Sequence, residues 1–456
     1  MKRIPEALIK KYSMSGPRYT SYPTAPMWKE INEEQQVNWL TSNKESKRPV
    51  SLYVHIPFCW ERCTYCGCNV LVTKQQWRSD NYVDFLLKEI DHLSTYISKD
   101  RKIRQLHFGG GTPTFLLDHE FEKILQKIRS YFEFETNAEI AIEVDPCSTR
   151  ENQLEFLAGL GFNRMSLGVQ DFDLKVQEAV NRVQSRDVTQ SHLERAKKNG
   201  FKGVNFDLIY GLPFQTVESF NHTIDTVIEM KPDRLALYNF AYLPAQMPHQ
   251  RKIDFESLPD EDTKLEILFL AIEKFSASGY NYIGMDHFAL EQDELSIAQK
   301  NRTLYRNFMG YTPKSGVDLF GIGASSIAEF GPYFIQNEKK VKEYQGRVEE
   351  NGISGSKGLE LSEDDLIRKW TITRLICHFY LSFDEFKQEF GKEFNEYFKN
   401  ELNRLEEFQQ DGLLELSSIH IQILDFGKIL VRNICMIFDA YLEKEDVPKI
   451  QYSRTI

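Results

Sequence analysis

No stretch of this chain approaches the ~20 consecutive apolar residues that a membrane-crossing helix needs. The opening Met-Lys-Arg-Ile-Pro-Glu also lacks the apolar core of a secretory leader. The expectation is a soluble protein of the cytoplasm. Positive charge is scarce as well: 56 Lys and Arg stand against 67 Asp and Glu, a formal net charge of −11. This argues against a general nucleic-acid binder, because phosphate neutralisation needs a concentrated cationic surplus. The chain also lacks the dispersed, even cysteine set of a secreted disulfide framework. Four of its seven cysteines, Cys59, Cys63, Cys66 and Cys68, crowd into one short segment. No internal repeat or low-complexity tract occurs, and no Gly-Lys-Ser/Thr follows Gly109-Gly110-Gly111, which excludes a Walker loop.

What is present is a regular alternation. From about residue 50 to about 330, β-rich apolar runs alternate with longer helical patterns, the rhythm of βα units around a parallel sheet. Val50 to Ile56 reads as the first strand and Ile103 to Phe108 as the second, followed by 138–144, 164–169, 203–209 and 234–240. The segments 279–285 and 318–322 are weaker continuations of the series. The expected fold is α/β, an open or partial (β/α) barrel. A Pro- and Tyr-rich N-terminal arm spans 1–46, is too irregular for a helix around Ser15 to Pro23, and is expected to pack across the barrel. The barrel domain spans 47–350. The breaker-rich stretch Glu349 to Gly358 reads as a linker or exposed turn. A mostly helical, winged-helix-like domain occupies 351–456, with short strands near Gly412 and Ile419 and a last long helix from about Asp425.

The chemistry concentrates in Cys59-Trp-Glu-Arg-Cys63-Thr-Tyr-Cys66. Three thiolates at this spacing can hold three irons of a cubane cluster, and the fourth iron then has no protein ligand. A cluster site one cysteine short is suited to binding something else at iron. Zinc is the alternative, with Cys68 as nominal fourth ligand, but Cys66-Gly-Cys68 is tighter than an ordinary zinc knuckle. Cys147, Cys377 and Cys435 read as small buried residues. His55 reads as a structural residue satisfied by a carbonyl.

Cys59, Cys63 and Cys66, in the loop after the first strand, resemble the CxxxCxxC signature of the radical S-adenosylmethionine superfamily. The wider pattern resembles oxygen-independent coproporphyrinogen III oxidases. It comprises Tyr53-Val-His-Ile-Pro-Phe-Cys59, Cys66-Gly-Cys68-Asn, Gly16 to Thr24, Gly109 to Thr114, Ile142 to Pro146, Leu167 to Asp171, Asp207 to Pro213, Ile283 to Phe288 and Val431 to Met436. The resemblance thus covers essentially the full chain.

The resemblance implies a [4Fe-4S] cluster on Cys59, Cys63 and Cys66. It implies S-adenosylmethionine, reductively cleaved to a 5′-deoxyadenosyl radical. Tyr53, Gly110, Glu143, Ala241 and Ile327 then surround a first S-adenosylmethionine. Tyr65, Gly111, Thr112, Gln170, Arg182 and Asp207 surround a second. Tyr65 stands where the family usually has Phe, and Met309 where it has Gln; the second change removes amide hydrogen bonds. The implied reaction converts two propionates of coproporphyrinogen III to vinyl groups, giving protoporphyrinogen IX in heme biosynthesis. No acid–base residue is assigned, because an unactivated β-hydrogen is beyond the reach of a side-chain base. The implied partners are a reductant such as flavodoxin or ferredoxin and an electron acceptor of unknown identity, with the protein a monomer.

Arg18 is a candidate contact for a substrate carboxylate, and Cys68 a candidate for substrate handling. The alternatives are a heme chaperone, another radical enzyme acting on heme, and a DNA-binding regulator. Such chaperones lack the arm and carry a His-Asn pair where this chain has Arg306-Asn307. The acidic charge opposes the regulator.

Overall fold

Runs rich in β-branched and aromatic residues form β1 (Val50–Ile56), β2 (Ile103–Gly110), β3 (Phe134–Val144), β4 (Arg164–Gln170), β5 (Gly203–Tyr210), β6 (Arg234–Asn239) and β7 (Asp318–Ile322). In this computed structural model, which describes residues 4–442 and 452–455, the strands lie in the order β7-β1-β2-β3-β4-β5-β6. Each neighbouring pair is parallel. Parallel neighbours need long crossovers, and these include α1 (Trp77–Leu93), α2 (Asp118–Tyr131), α3 (Arg186–Lys198) and α4 (Val217–Met230). Phe121, Ile124, Leu125 and Ile128 make one buried stripe on α2, the helical spacing of a core-facing surface. The Ser185 and Thr216 side chains cap α3 and α4.

Beyond β7 the sheet turns antiparallel through β8 (Ile327–Phe330), β9 (Tyr333–Asn337) and β10 (Gly355–Glu360). The two residues Lys29–Glu30 complete that edge. The fold is α/β with open parallel strands, as expected, and the sheet does not close into a barrel. One expectation is corrected here. Residues 355–360 are not a linker, because their backbone is consumed by the ladder to β9.

The chain divides into two compact units. One comprises Lys29–Ile267 and Gly316–Glu360 and holds this sheet; the other comprises Met1–Trp28, Leu268–Ser315 and Leu361–Ile456. In the second unit, Tyr280–Gly284 and His287–Leu290 form an antiparallel hairpin, so 279–285 does not extend the parallel series. Its C-terminal part carries helices and a three-stranded sheet of Tyr380–Ser382, His420–Ile423 and Leu414–Leu416. The first of those strands, of three residues, was not read from the sequence. The last long helix is instead two short ones, Asp425–Ile429 and Val431–Met436, interrupted where Leu430 leaves helical geometry.

The arm begins with a helix, Glu6–Tyr12. The contacts that hold residues 12–23 include several with C-terminal residues. The Tyr12 ring lies 4.8 Å from that of Phe408. Arg432 donates to Pro17 O at 2.9 Å, and the Tyr19 hydroxyl donates to Asp439 at 3.0 Å. Among the described residues no helix is long and apolar enough to cross a membrane.

Candidate active site

β1 is followed directly by the cysteine loop. Its chain returns so that Phe58 and Cys59 pair in parallel with Leu71 and Val72. The loop is held by its own backbone, with Cys66 N donating to Cys63 O at 3.2 Å, and from outside by Thr64 N donating to Val180 O at 3.1 Å. His249 Nε2 contacts Cys66 O at 2.8 Å, and the Gln250 amide reaches both Tyr65 O, at 3.5 Å, and Ala241 O, at 3.2 Å.

This loop and the strand ends of β2 to β5 enclose a cavity of about 480 Å³. Cys59, Cys63, Cys66, Cys68, Tyr65, Gly110, Gly111, Thr112, Glu143, Gln170, Arg182 and Asp207 all line it. Tyr53, Ala241 and Ile327 do not. Tyr53 lies on β1 beside the wall, its ring stacked 5.8 Å from His107; Ala241 follows β6, and Ile327 begins β8. Arg18 belongs to the other unit, where it pairs with Asp286.

Register explains the convergence. Tyr53 is opposite His107, Glu143 opposite Ser166, and Gly168 opposite Asp207, so the polar groups share one face of the sheet, and each later pair lies two residues further along its strands toward the strand ends. Glu143 accepts from Gly110 N at 3.0 Å and contacts His107 Nε2 at 3.3 Å. Burial alone would raise its carboxyl, but His107 and the Gly110 N–H outweigh burial and hold it below the usual range. Its side chain remains 41% accessible because it faces the cavity. Asp207 accepts from Ser166 Oγ at 2.7 Å and Asn205 Nδ2 at 2.9 Å. Burial nevertheless pushes it up to about 7, with Glu143 adding repulsion. Arg182 donates to Asp145 at 2.9 Å and to Gly168 O at 2.8 Å, and its Nη1 lies 3.9 Å from Cys63 Sγ.

Burial pushes the Cys59 thiol up to about 11. It also raises Cys63, against the pull of Arg182. Cys66 is lowered to about 6, the Cys68 thiol donating to its sulfur. His55 is kept neutral by burial, with one ring nitrogen 3.1 Å from Asn69 O and the other 3.2 Å from the Tyr53 hydroxyl.

Sequence reasoning missed Asp145, Ser166, His107, His249 and Gln250. Asp145 and Ser166 sit at or near strand ends, a position that flags function only once the neighbouring strand is known. His107 was visible two residues before the glycine run. His249 and Gln250 carried no local signal. Cys147 is a correction: read as a small buried residue, it is exposed on the cavity wall, because Pro146 and the turn after β3 turn it outward.

Residues 53–227 match the radical SAM superfamily, and 361–427 match the HemN C-terminal domain. The chain is 46% identical to oxygen-independent coproporphyrinogen III oxidase of Salmonella typhimurium, over 99% of this chain and 98% of that one. It is 43% identical to the Pseudomonas aeruginosa protein of that name, over 98% of each. The chain belongs to the oxygen-independent coproporphyrinogen III oxidase family. A solved structure, coproporphyrinogen III oxidase (HemN) from Escherichia coli, described as a radical SAM enzyme, superposes with a TM-score of 0.92. It is 43% identical, covering 96% of this chain and 99% of that one.

The family's cluster and S-adenosylmethionine fit the residues present. Cys59, Cys63 and Cys66 are free of disulfides and share one cavity. A Cβ on Gly111 would meet Phe58 O at 2.8 Å and Cys59 Sγ at 3.0 Å, so the bare backbone leaves space beside the sulfurs that any other residue would fill. The buried Arg182 Nε has no protein partner.

Proposed function

We propose that the chain carries out the oxygen-independent oxidative decarboxylation of two propionates of coproporphyrinogen III, giving protoporphyrinogen IX in heme biosynthesis. The observation that carries this is the convergence of Cys59, Cys63 and Cys66 on one cavity with Glu143, Arg182 and Asp207, in a chain matching named relatives over nearly their whole length. That full-length match also favours the oxidase over the heme chaperone.

Cys59, Cys63 and Cys66 would hold three irons of a [4Fe-4S] cluster. When bound, the cluster supplies one electron and S-adenosylmethionine the carbon radical that removes a hydrogen atom. Each propionate gives up that β-hydrogen atom, its carboxylate as carbon dioxide and one electron to an acceptor. In this reading Glu143, ionised at neutral pH, accepts hydrogen bonds from a ribose diol. Tyr53, Gly110, Ala241 and Ile327 complete the contacts to the first S-adenosylmethionine. Tyr65, Gly111, Thr112, Gln170, Arg182 and Asp207 serve a second, without the amide that Met309 replaces. Arg18 and Cys68 handle substrate. The catalytic region corresponds to 47–350, flanked by the 1–46 arm and the 351–456 helical region. The protein acts as a cytoplasmic monomer with flavodoxin or ferredoxin as electron donor.

The test is an anaerobic assay of reconstituted protein with S-adenosylmethionine, a reductant and coproporphyrinogen III. Protoporphyrinogen IX and 5′-deoxyadenosine are both expected, and Cys63→Ser should abolish both. Deoxyadenosine without decarboxylation of the porphyrinogen would overturn the substrate assignment.

A further inference from the structure

His107 on β2 has no part in the function proposed above, yet it touches the carboxylate assigned there to the ribose diol. Ala141 stands directly opposite it on β3, so Glu143 lies two residues further along and within diagonal reach. The imidazole Nε2 approaches Glu143 Oε1 at 3.3 Å. Gly110 N donates to the other oxygen, Oε2, at 3.0 Å. Glu143 is ionised at neutral pH and has no hydrogen to give, so the shared hydrogen belongs to Nε2. The Tyr53 ring stacks on the imidazole, with 5.8 Å between centroids and 16° between planes. Tyr53 is itself anchored: its hydroxyl lies 3.2 Å from His55 Nδ1, and His55 Nε2 lies 3.1 Å from Asn69 O. The backbone leaves room for this array, since a Cβ on Gly109 would meet Glu143 Oε1 at 2.8 Å and Tyr53 Cε2 at 2.9 Å.

A lone-pair count separates this arrangement from a closed ion pair. A carboxylate offers about four acceptor positions, shared equally by its oxygens. His107 takes one on Oε1 and Gly110 N takes one on Oε2, which leaves one on each. The Glu143 side chain is 41% accessible and lines the cavity, so that remaining pair is open to a ligand. Vicinal hydroxyls, each donating once, would satisfy it. A carboxylate held at Oε2 alone can still turn about its last side-chain bond, whereas one held at both oxygens is fixed before a ligand arrives. We propose that His107 is a positioning residue for S-adenosylmethionine, setting the Glu143 carboxylate in the rotation that offers one acceptor on each oxygen to the ribose diol. The Tyr53 ring keeps the imidazole in that pose. The inference rests on the reading of Glu143 given above and adds to it the residue that makes the acceptor rigid. Binding to a preset acceptor avoids the cost of ordering it, which is why loss of His107 should appear in affinity.

The test uses the full chain with its cluster reconstituted and S-adenosylhomocysteine as the probe, in anaerobic equilibrium dialysis. The probe carries the ribose diol but no sulfonium to cleave. His107→Phe keeps a ring against Tyr53 and removes the donor, and it is expected to bind the probe about tenfold more weakly. His107→Gln, whose amide N–H can take the place of Nε2–H, should restore affinity to within about threefold of wild type. Adding His107→Phe to Glu143→Ala should cost nothing further, because His107 acts through that carboxylate. Wild-type affinity in His107→Phe would overturn the proposal. So would a glutamine variant as weak as the phenylalanine one, or a further loss in the double variant, either of which would mark a packing role for the ring. A dissociation constant does not depend on the fraction of chains that fold, so a variant that refolds in part still gives a usable value. Wild-type affinity in Glu143→Ala would instead overturn the reading of Glu143 on which the inference rests.

Discussion

At the scale of single residues, the cavity separates two carboxylates that chemistry alone would treat alike. Glu143 is held ionised by His107 and the Gly110 N–H, whereas burial brings Asp207 to about 7 from an ordinary 3.8. An acid whose folded value lies above its unfolded one destabilises the folded state as it ionises. The contribution of Asp207 is therefore lost as pH rises from about 4 to about 7. Asp207→Asn, which cannot ionise, is expected to flatten that part of the stability profile. Chemical denaturation at pH 4, 6 and 8 checks this: a wild-type-like fall in the variant over that window would show that another group titrates. Neither value was legible in the sequence, because it depends on strand neighbours distant along the chain. That Glu143 and Asp207 belonged to the site was legible, since each stands in a recognisable motif near a strand end.

At the scale of elements, the cysteine loop is shaped by what stands behind it. Gly111 lies so close to Pro57, Phe58 and Cys59 that a Cβ would collide with backbone as well as with Cys59 Sγ. Backbone cannot step aside as a flexible side chain can. Gly111→Ala is therefore expected to displace the loop, costing ~1–3 kcal/mol as an overpacked site does and lowering iron bound per chain after reconstitution. Full iron content with an unchanged melting temperature would show that the loop has slack. The buried α1 residue Tyr82 adds support, donating to His55 O at 3.0 Å and accepting from Ala324 N at 2.8 Å. It thereby ties the end of β1 to the turn after β7. The strands were legible from their apolar runs, but this clamp was not, since one tyrosine in an amphipathic helix looks like any other core residue. The long helix expected after Asp425 failed for a related reason: apolar spacing continues across Leu430 although the backbone breaks there.

At the scale of the whole molecule, one buried residue gathers both ends of the chain. Arg432 is 6% exposed and donates to Pro17 O at 2.9 Å, to Arg454 O at 2.8 Å and to Gly16 O. Arg432→Met retains apolar bulk but leaves those carbonyls without their donor. The expected cost is about 3 kcal/mol or more, and the peptide around residues 13–20 should become the first site of limited proteolysis. An unchanged cleavage pattern would mean that the Tyr19–Asp439, Arg18–Asp286 and Tyr12–Phe408 contacts suffice to hold the arm.

By itself the sequence determined the chemistry. Three cysteines at fixed spacing after a strand are a local pattern, and the ligands of a cluster loop need only be near one another along the chain. The alternation of runs likewise determined an open parallel sheet, because hydrophobic periodicity is also local. Only the tertiary structure decided which strand ends share a face, which carboxylate is ionised, and that C-terminal residues hold the arm through Arg432. Each of those depends on groups far apart in sequence whose burial and charges interact only after the chain has folded.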